Sequence, residues 1–193
     1  MRPDRLTRAR VNVMGKVYNE LTTEPYEDMA ENDNTSVGVT SRNVCSECGA
    51  VMPEGTTGCQ DLFWQVSVRE YSDAAYLGIH RLTVDCYALQ HPDRYCRSAK
   101  SLAAHLTGIC RALEYGENPN VSRALSSWLN GTPKTERLAP PVFKGQLTIT
   151  CIHCATSPKE YIARVWQWAN SIWDAWAEHQ LTAHRWIEEA IGR

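Results

Sequence analysis

The stretch CSECGAVMPEGTTGC, residues 45–59, constrains this chain more than any other part of it. Cys45-x-x-Cys48-Gly49 is followed by Gly58-Cys59 in a segment rich in turn residues. A CxxCG turn brings two thiolates to one tetrahedral ion, and its glycine relaxes the backbone where amides must point at sulfur. A redox CxxC would instead sit at a helix start after a strand, and three unrelated cysteines are the plain alternative. Zinc in a structural site takes four ligands, and this segment supplies three.

Two candidates arise for the fourth ligand. A helix opens near Cys59, and the next begins near residue 73 after a connection so short that it returns antiparallel. Its far end, at His91, then comes back to Cys59, which gives a site of Cys45, Cys48, Cys59 and His91. The rival is Cys151-Ile152-His153-Cys154, a second CxxC that would complete an all-cysteine site. The spacing leaves both open.

The rest of the chain reads as helical. QDLFWQVSVREY forms a short helix with Leu62, Val66 and Arg69 on one side. Ser72-Asp73 caps AAYLGIHRLTVDCYALQH, which Pro92 stops. Ser98 caps AKSLAAHLTGICRALEYG, with Leu102, Leu106, Ile109 and Leu113 at helical spacing and Gly116 as its stop. A shorter helix follows at about 120–129, then a loop through Ala139-Pro140-Pro141. LTITCIHCA fits either a strand or a helical turn. Ser157-Pro158-Lys159-Glu160 opens one last helix of roughly 30 residues, about 45 Å long at 1.5 Å per residue. Five of the seven tryptophans fall between Trp166 and Trp186, which marks this helix as the centre of the packing. Trp166, Trp173 and Trp176 recur at helical spacing as core residues rather than as a stacking platform for bases. The expected architecture is all-α: an irregular helical bundle over 44–193 with an N-terminal cysteine zinc knuckle at 45–59.

Residues 1–43 read as a flexible charged arm, with a basic stretch (Arg2, Arg5, Arg8, Arg10, Lys16) before an acidic one (Glu20 to Asp33). No apolar h-region follows the basic start, so it is not a secretory signal. No apolar run approaches the roughly 20 residues that span a bilayer. The net charge of −2 makes no overall demand for nucleic acid or an anionic membrane. These features point to the cytoplasm, where eight cysteines serve as thiols or metal ligands rather than disulfides.

A second constellation lies in the bundle. His80 and His91 are 11 residues apart, three helical turns along nearly one face. The hairpin of helices 73–91 and 98–116 brings His105 near the level of Val84, so His80, Asp85 and His105 approach one another. His179, in the tryptophan-rich helix, is the natural third histidine, whereas His184 falls off that face and reads as surface. Histidines facing a bundle core build metal or catalytic sites, and an open fourth position activates water. The bland reading is that these histidines are core residues hydrogen-bonded to neighbours such as Asp85. No phosphate loop, HExxH or nucleophile-elbow pattern is present.

CSECGA, EYSDAAYLGIHRLTVDCYALQHP, SAKSLAAHL, the LAPP loop and WQWANSIWDAWAEH together resemble an uncharacterised bacterial family known only as a domain of unknown function. The resemblance runs from about 45 to 188. It implies a CxxC head on a helical body, with recurrent positions matching His80, Asp85, His91, His105 and His179, and it carries no activity. Where that family runs without cysteine this chain has Cys151 and Cys154, which weighs against the all-cysteine site. Where it often has paired histidines this chain has His179-Gln180. A looser likeness links the chain to DinB-like four-helix bundles, which hold a metal with histidines from separate helices.

Two functional readings follow. One is a zinc-binding helical protein whose metal is mainly structural and whose bundle is an interaction or regulatory module, with a protein partner or a second copy as ligand. The other is a metal-dependent enzyme of hydrolase or transferase class, with His80, His105 and His179 as ligands and Asp85 orienting one of them. A nucleic-acid role for the basic arm is a weaker third reading, and substrate and partner stay open.

Overall fold

The computed structural model describes residues 43–192. The charged arm over 1–43 therefore lies outside the described residues except for Asn43. Among the described residues, nine α-helices follow the cysteine segment: α1 Thr56–Ser72, α2 Ala74–Leu77, α3 His80–Gln90, α4 Pro92–Tyr95, α5 Ala99–Cys110, α6 Pro119–Asn130, α7 Ile149–His153, α8 Pro158–Ala175 and α9 Gln180–Ile191. The extended structure among them is one isolated antiparallel bridge, Val44 to Val51. No helix among the described residues is long and apolar enough to cross a membrane.

The local signals explain most boundaries. Asp73 accepts from the Ala75 amide at the start of α2. Ser98 and Ser101 form a reciprocal capping box on α5. Asn118 caps α6 and Ser157 caps α8, each followed by proline at the first helical position, where the missing N–H costs nothing. Pro92 ends α3 and, by the same logic, opens the single turn of α4. LTITCIHCA resolves to one helical turn, α7.

The centre of the packing is α3 rather than the tryptophan-rich segment. Eight of its 11 residues are buried, against six of 18 in α8. A helix buried on most sides is enclosed by others, and α3 packs against α1, α5 and α8. Its closest neighbour is α5: a Cβ added at Gly108 would lie 2.1 Å from Asp85 Oδ2, so Gly108 makes room for that carboxylate. On α1 the buried residues Cys59, Phe63, Val66, Ser67 and Glu70 follow an i, i+4, i+7, i+8, i+11 stripe. Leu62 packs at the margin of that stripe rather than within it.

The expected 30-residue helix is broken. α8 ends at Ala175, buried Trp176 leaves helical geometry, and a tight 3₁₀ turn at Ala177–His179 leads into α9. Gln180 Nε2 donates to the Trp173 carbonyl at 3.0 Å, and His179 Nε2 meets the Ala139 carbonyl at 2.8 Å. The bend turns Ala183, Trp186, Ile187 and Ala190 onto α5 and α6. A straight rod would have carried that apolar face past the body, so tertiary burial overrides helical continuity. Trp168, Trp173 and Trp176 are core and Trp166 packs at its edge.

All eight cysteines are unpaired. Burial pushes Cys86 and Cys110 well above the usual thiol range and Cys96 up to about 12, with nearby carboxylates adding to the effect. Cys154 is exposed and Cys151 half-buried. Alkylation of the native protein with iodoacetamide at neutral pH is therefore expected to label Cys154 first and Cys151 next. Cys86, Cys96 and Cys110 should react only on unfolding, because the thiolate is the nucleophile; peptide mapping over time reads this order.

Candidate metal centre

The cysteine segment folds back on itself before the body begins. The Cys45 amide donates to the Ala50 carbonyl at 2.8 Å and the Met52 amide to the Asn43 carbonyl at 2.9 Å. Within this loop the Gly49 amide donates to the Cys45 carbonyl, and Gly49 takes φ +78, a left-handed conformation that favours glycine. The chain then turns into α1, whose first turn carries Cys59. A Cβ at Gly58 would sit 2.1 Å from the Pro53 carbonyl oxygen, so only glycine lets the loop close over that turn. The body also grips the loop: Lys144 Nζ donates to the Glu47 carbonyl at 2.8 Å, and the Asp93 amide to the Glu47 carboxylate at 3.3 Å.

His91 arrives from the C-terminal end of α3, as the antiparallel return of that helix requires. Its Nδ1 lies 2.8 Å from the Tyr87 carbonyl, which fixes the tautomer and turns Nε2 toward the sulfurs. The Tyr87 ring stacks on the imidazole at 3.9 Å and on Phe63 at 3.9 Å, and its hydroxyl donates to Cys59 Sγ at 3.7 Å. Cys45, Cys59 and His91 are buried and Cys48 is partly exposed.

The ligand atoms of Cys45, Cys48, Cys59 and His91 all lie within 4.8 Å of one another. Cys48 and Cys59 sulfurs are 3.7 Å apart, and His91 Nε2 is 3.4 Å from Cys59 Sγ and 3.5 Å from Cys45 Sγ. A tetrahedral ion with metal–sulfur bonds of about 2.3 Å and metal–nitrogen bonds of about 2.0–2.1 Å needs S···S edges of about 3.8 Å and S···N edges of about 3.6 Å. These three separations match those edges. They do not match a disulfide, whose sulfurs sit about 2.04 Å apart.

The electrostatics of the cluster suit a cation. Hydrogen bonding with Cys48 and then Cys59 holds Cys45 well below the usual thiol range, against the effect of its burial. Contact with Cys45 and then Cys59 drives Cys48 far above it. Like charges this close cannot all form unless a positive ion sits among them. Burial opposes a charged His91, yet its contacts with Cys45 and Cys59 outweigh that and raise it to about 9.

The bundle histidines do not converge. His80 Nδ1 pairs with Glu70 Oε2 at 2.7 Å, and His105 Nδ1 with Asp85 Oδ1 at 2.8 Å, where Arg81 also donates at 2.9 Å. His179 faces the Ala139 carbonyl. Among the described residues, His80, Asp85, His105 and His179 enter no group of three with metal-ligand spacing. The hairpin does bring Asp85 to His105, but α3 turns His80 onto α1. Cys151 and Cys154, on and just after α7, join no such group either.

Two features escaped the sequence reading. Glu70 is fully buried and accepts from His80, from Thr83 Oγ1 at 2.5 Å and from Tyr161 OH at 2.6 Å. Its place on the stripe with Phe63, Val66 and Ser67 was the available signal, because a lone acid on an apolar face needs partners. His184 is not simply surface: with Cys110 and Glu114 it forms a second close group, beside a π-helical turn at Arg111–Tyr115. There His184 Nε2 lies 2.7 Å from Glu114 Oε2, and Trp173 Nε1 donates to Glu114 Oε1 at 3.0 Å. An N···O edge around a tetrahedral ion is about 3.4 Å, so the shorter His184–Glu114 contact is a hydrogen bond, beside a thiol that burial keeps protonated.

A helical protein with a cluster of three cysteines and one histidine able to hold a metal ion is thus the class that fold and site define. Residues 43–177 match a family of unknown function, DUF5946, and the chain belongs to that family. No curated protein and no solved structure matches the chain.

Proposed function

We propose that this chain is a zinc protein in which Cys45, Cys48, Cys59 and His91 hold one structural Zn²⁺, and in which the helical body is an interaction or regulatory module. The agreement of the S···S and S···N separations with the edges of a tetrahedral zinc site carries the reading. Four protein ligands close the coordination sphere, which leaves no position for substrate or activated water and favours structure over catalysis. The ion would clamp the N-terminal loop to the start of α1 and the end of α3, elements distant in sequence. Three thiolates and an imidazole are soft, borderline ligands that suit zinc and disfavour magnesium or calcium. Eight unpaired thiols fit a reducing compartment such as the cytoplasm.

Metal per chain, read by native mass spectrometry on protein purified without added metal, tests this. One zinc is expected in the wild type, none in Cys45→Ser, and one again in His105→Ala. A second metal lost with His105→Ala would transfer the argument to the bundle histidines and to an enzyme. Wild-type protein that neither carries nor takes up zinc would end the proposal.

A further inference from the structure

A groove of about 230 Å³ runs between α1 and α3, lined by none of the four cluster residues. Phe63, Trp64, Tyr71, Tyr87 and Tyr95 supply its aromatic wall, and His80 and Ser67 add polar side chains. Trp64 and Tyr71 are 55% and 68% exposed, although aromatic rings of this size ordinarily find cover in a folded chain. Phe63 and Tyr87 stack face to face with 7° between their planes, and Tyr95 meets both edge-on, so the floor is a packed aromatic cluster. An apolar cavity of about 150 Å³ holds one benzene ring, so this groove has room for one ring or two fused rings. It is far smaller than a protein–protein interface, which covers about 800 Å² on each partner.

The polar end is built as well. Glu70 Oε1 accepts from Thr83 and Tyr161, and its Oε2 lies 2.7 Å from His80 Nδ1. In the tautomer that donates from Nδ1 to this carboxylate, the imidazole presents an acceptor at Nε2. Tyr71 lies against the imidazole at 4.4 Å between centroids and limits its rotation. The wall thus offers aromatic contact and one fixed acceptor.

We propose that this groove binds a small aromatic molecule of one or two fused rings that carries an N–H or O–H donor directed at His80 Nε2. The rings would lie against Trp64 and the Phe63–Tyr87 floor. The donor would complete the chain Glu70–His80–ligand. An isostere without the donor would leave the His80 acceptor desolvated and unpaired, which is how such sites discriminate. Tyr87 also stacks on His91, so the floor adjoins the metal centre, whereas Trp64 and His80, the residues that the test varies, are not among its ligands.

Isothermal calorimetry of the full chain with indole, and with benzothiophene as the donor-less isostere, tests it. Saturable one-site indole binding is expected, with benzothiophene at least fivefold weaker. Trp64→Ala, a change at an exposed position, should weaken indole at least tenfold while leaving the far-ultraviolet dichroism unchanged. His80→Phe should abolish the preference between the two probes; if that variant does not fold, the wild-type preference and Trp64→Ala still decide. No saturable indole binding, equal affinity for both probes, or indifference to Trp64→Ala overturns the proposal. So does a concentration-dependent dimer that Trp64→Ala disrupts, which would give the groove to a second copy.

Discussion

On the zinc reading, Cys59→Ser is expected to release the metal and lower the melting temperature by about 6–20 °C. The residue sits on the first turn of α1, fully buried, with its sulfur 3.4 Å from His91 Nε2 and 3.7 Å from Cys48 Sγ. Removing one member of a buried charged set typically costs about 3–5 kcal/mol, because the others are left uncompensated. For a domain of this size each kcal/mol moves the transition by about 2–4 °C. His91→Ala should act alike, and more broadly, because it also strips the imidazole from the Tyr87 stack. Excess chelator on the wild type should reproduce the loss, and restored zinc should reverse it. Cys154→Ser, at an exposed thiol outside the cluster, is the control and should stay within about 0.5 kcal/mol of wild type. Calorimetry with and without chelator reads all four; a Cys59→Ser protein that melts like wild type would mean the loop contributes nothing to the body.

Glu70→Ala should be as damaging, with no metal involved. The carboxylate joins α1 to α3 through His80 and Thr83, and to α8 through Tyr161. Without it three donors face an apolar gap, and each unpaired buried group costs about 1–3 kcal/mol. Thr83 has a fallback in the Ile79 carbonyl at 3.4 Å, so the loss should total about 3–5 kcal/mol rather than the full sum. Glu70→Gln keeps one acceptor oxygen but turns an amide donor toward other donors, and should cost about 1–3 kcal/mol. Tyr161→Phe, which removes one partner, should cost about 1 kcal/mol. Urea titration ranks the three; a Glu70→Ala protein as stable as Tyr161→Phe would mean the buried carboxylate does not hold these helices together.

The two residues differ in how visible they were. Cys59 announced itself through its spacing to Cys45 and Cys48 and through the glycine before it. His91 could be reached by one further step, the antiparallel return of a helix after a short connection, and the structure brings it to the three sulfurs. Glu70 was written in the same stripe as Phe63 and Val66, yet periodicity reports that a face is buried and not which partners wait across it. Tyr161 is 91 residues away. No local signal connects them.

The same divide runs through the helices. Ser98, Asn118, Ser157 and the prolines at 119 and 158 fix helix starts, because caps satisfy amides within a few residues of themselves. Where a helix must end to serve the core is not local. The break at Trp176–His179 depends on α5 and α6 standing where α9 can bury Trp186 and Ile187. The histidines obeyed that rule too: Asp85 and His105 met because one hairpin carries both, while His80 and His179 were claimed by α1 and by the Ala139 loop. By itself, then, the sequence determined an all-helical chain with a three-cysteine loop and a histidine able to reach it, since capping, period and ligand spacing act over short distances. Only the tertiary structure decided that α3 is the centre, that Glu70 is the buried hub and that the long helix bends, because those depend on which surfaces exclude water from one another.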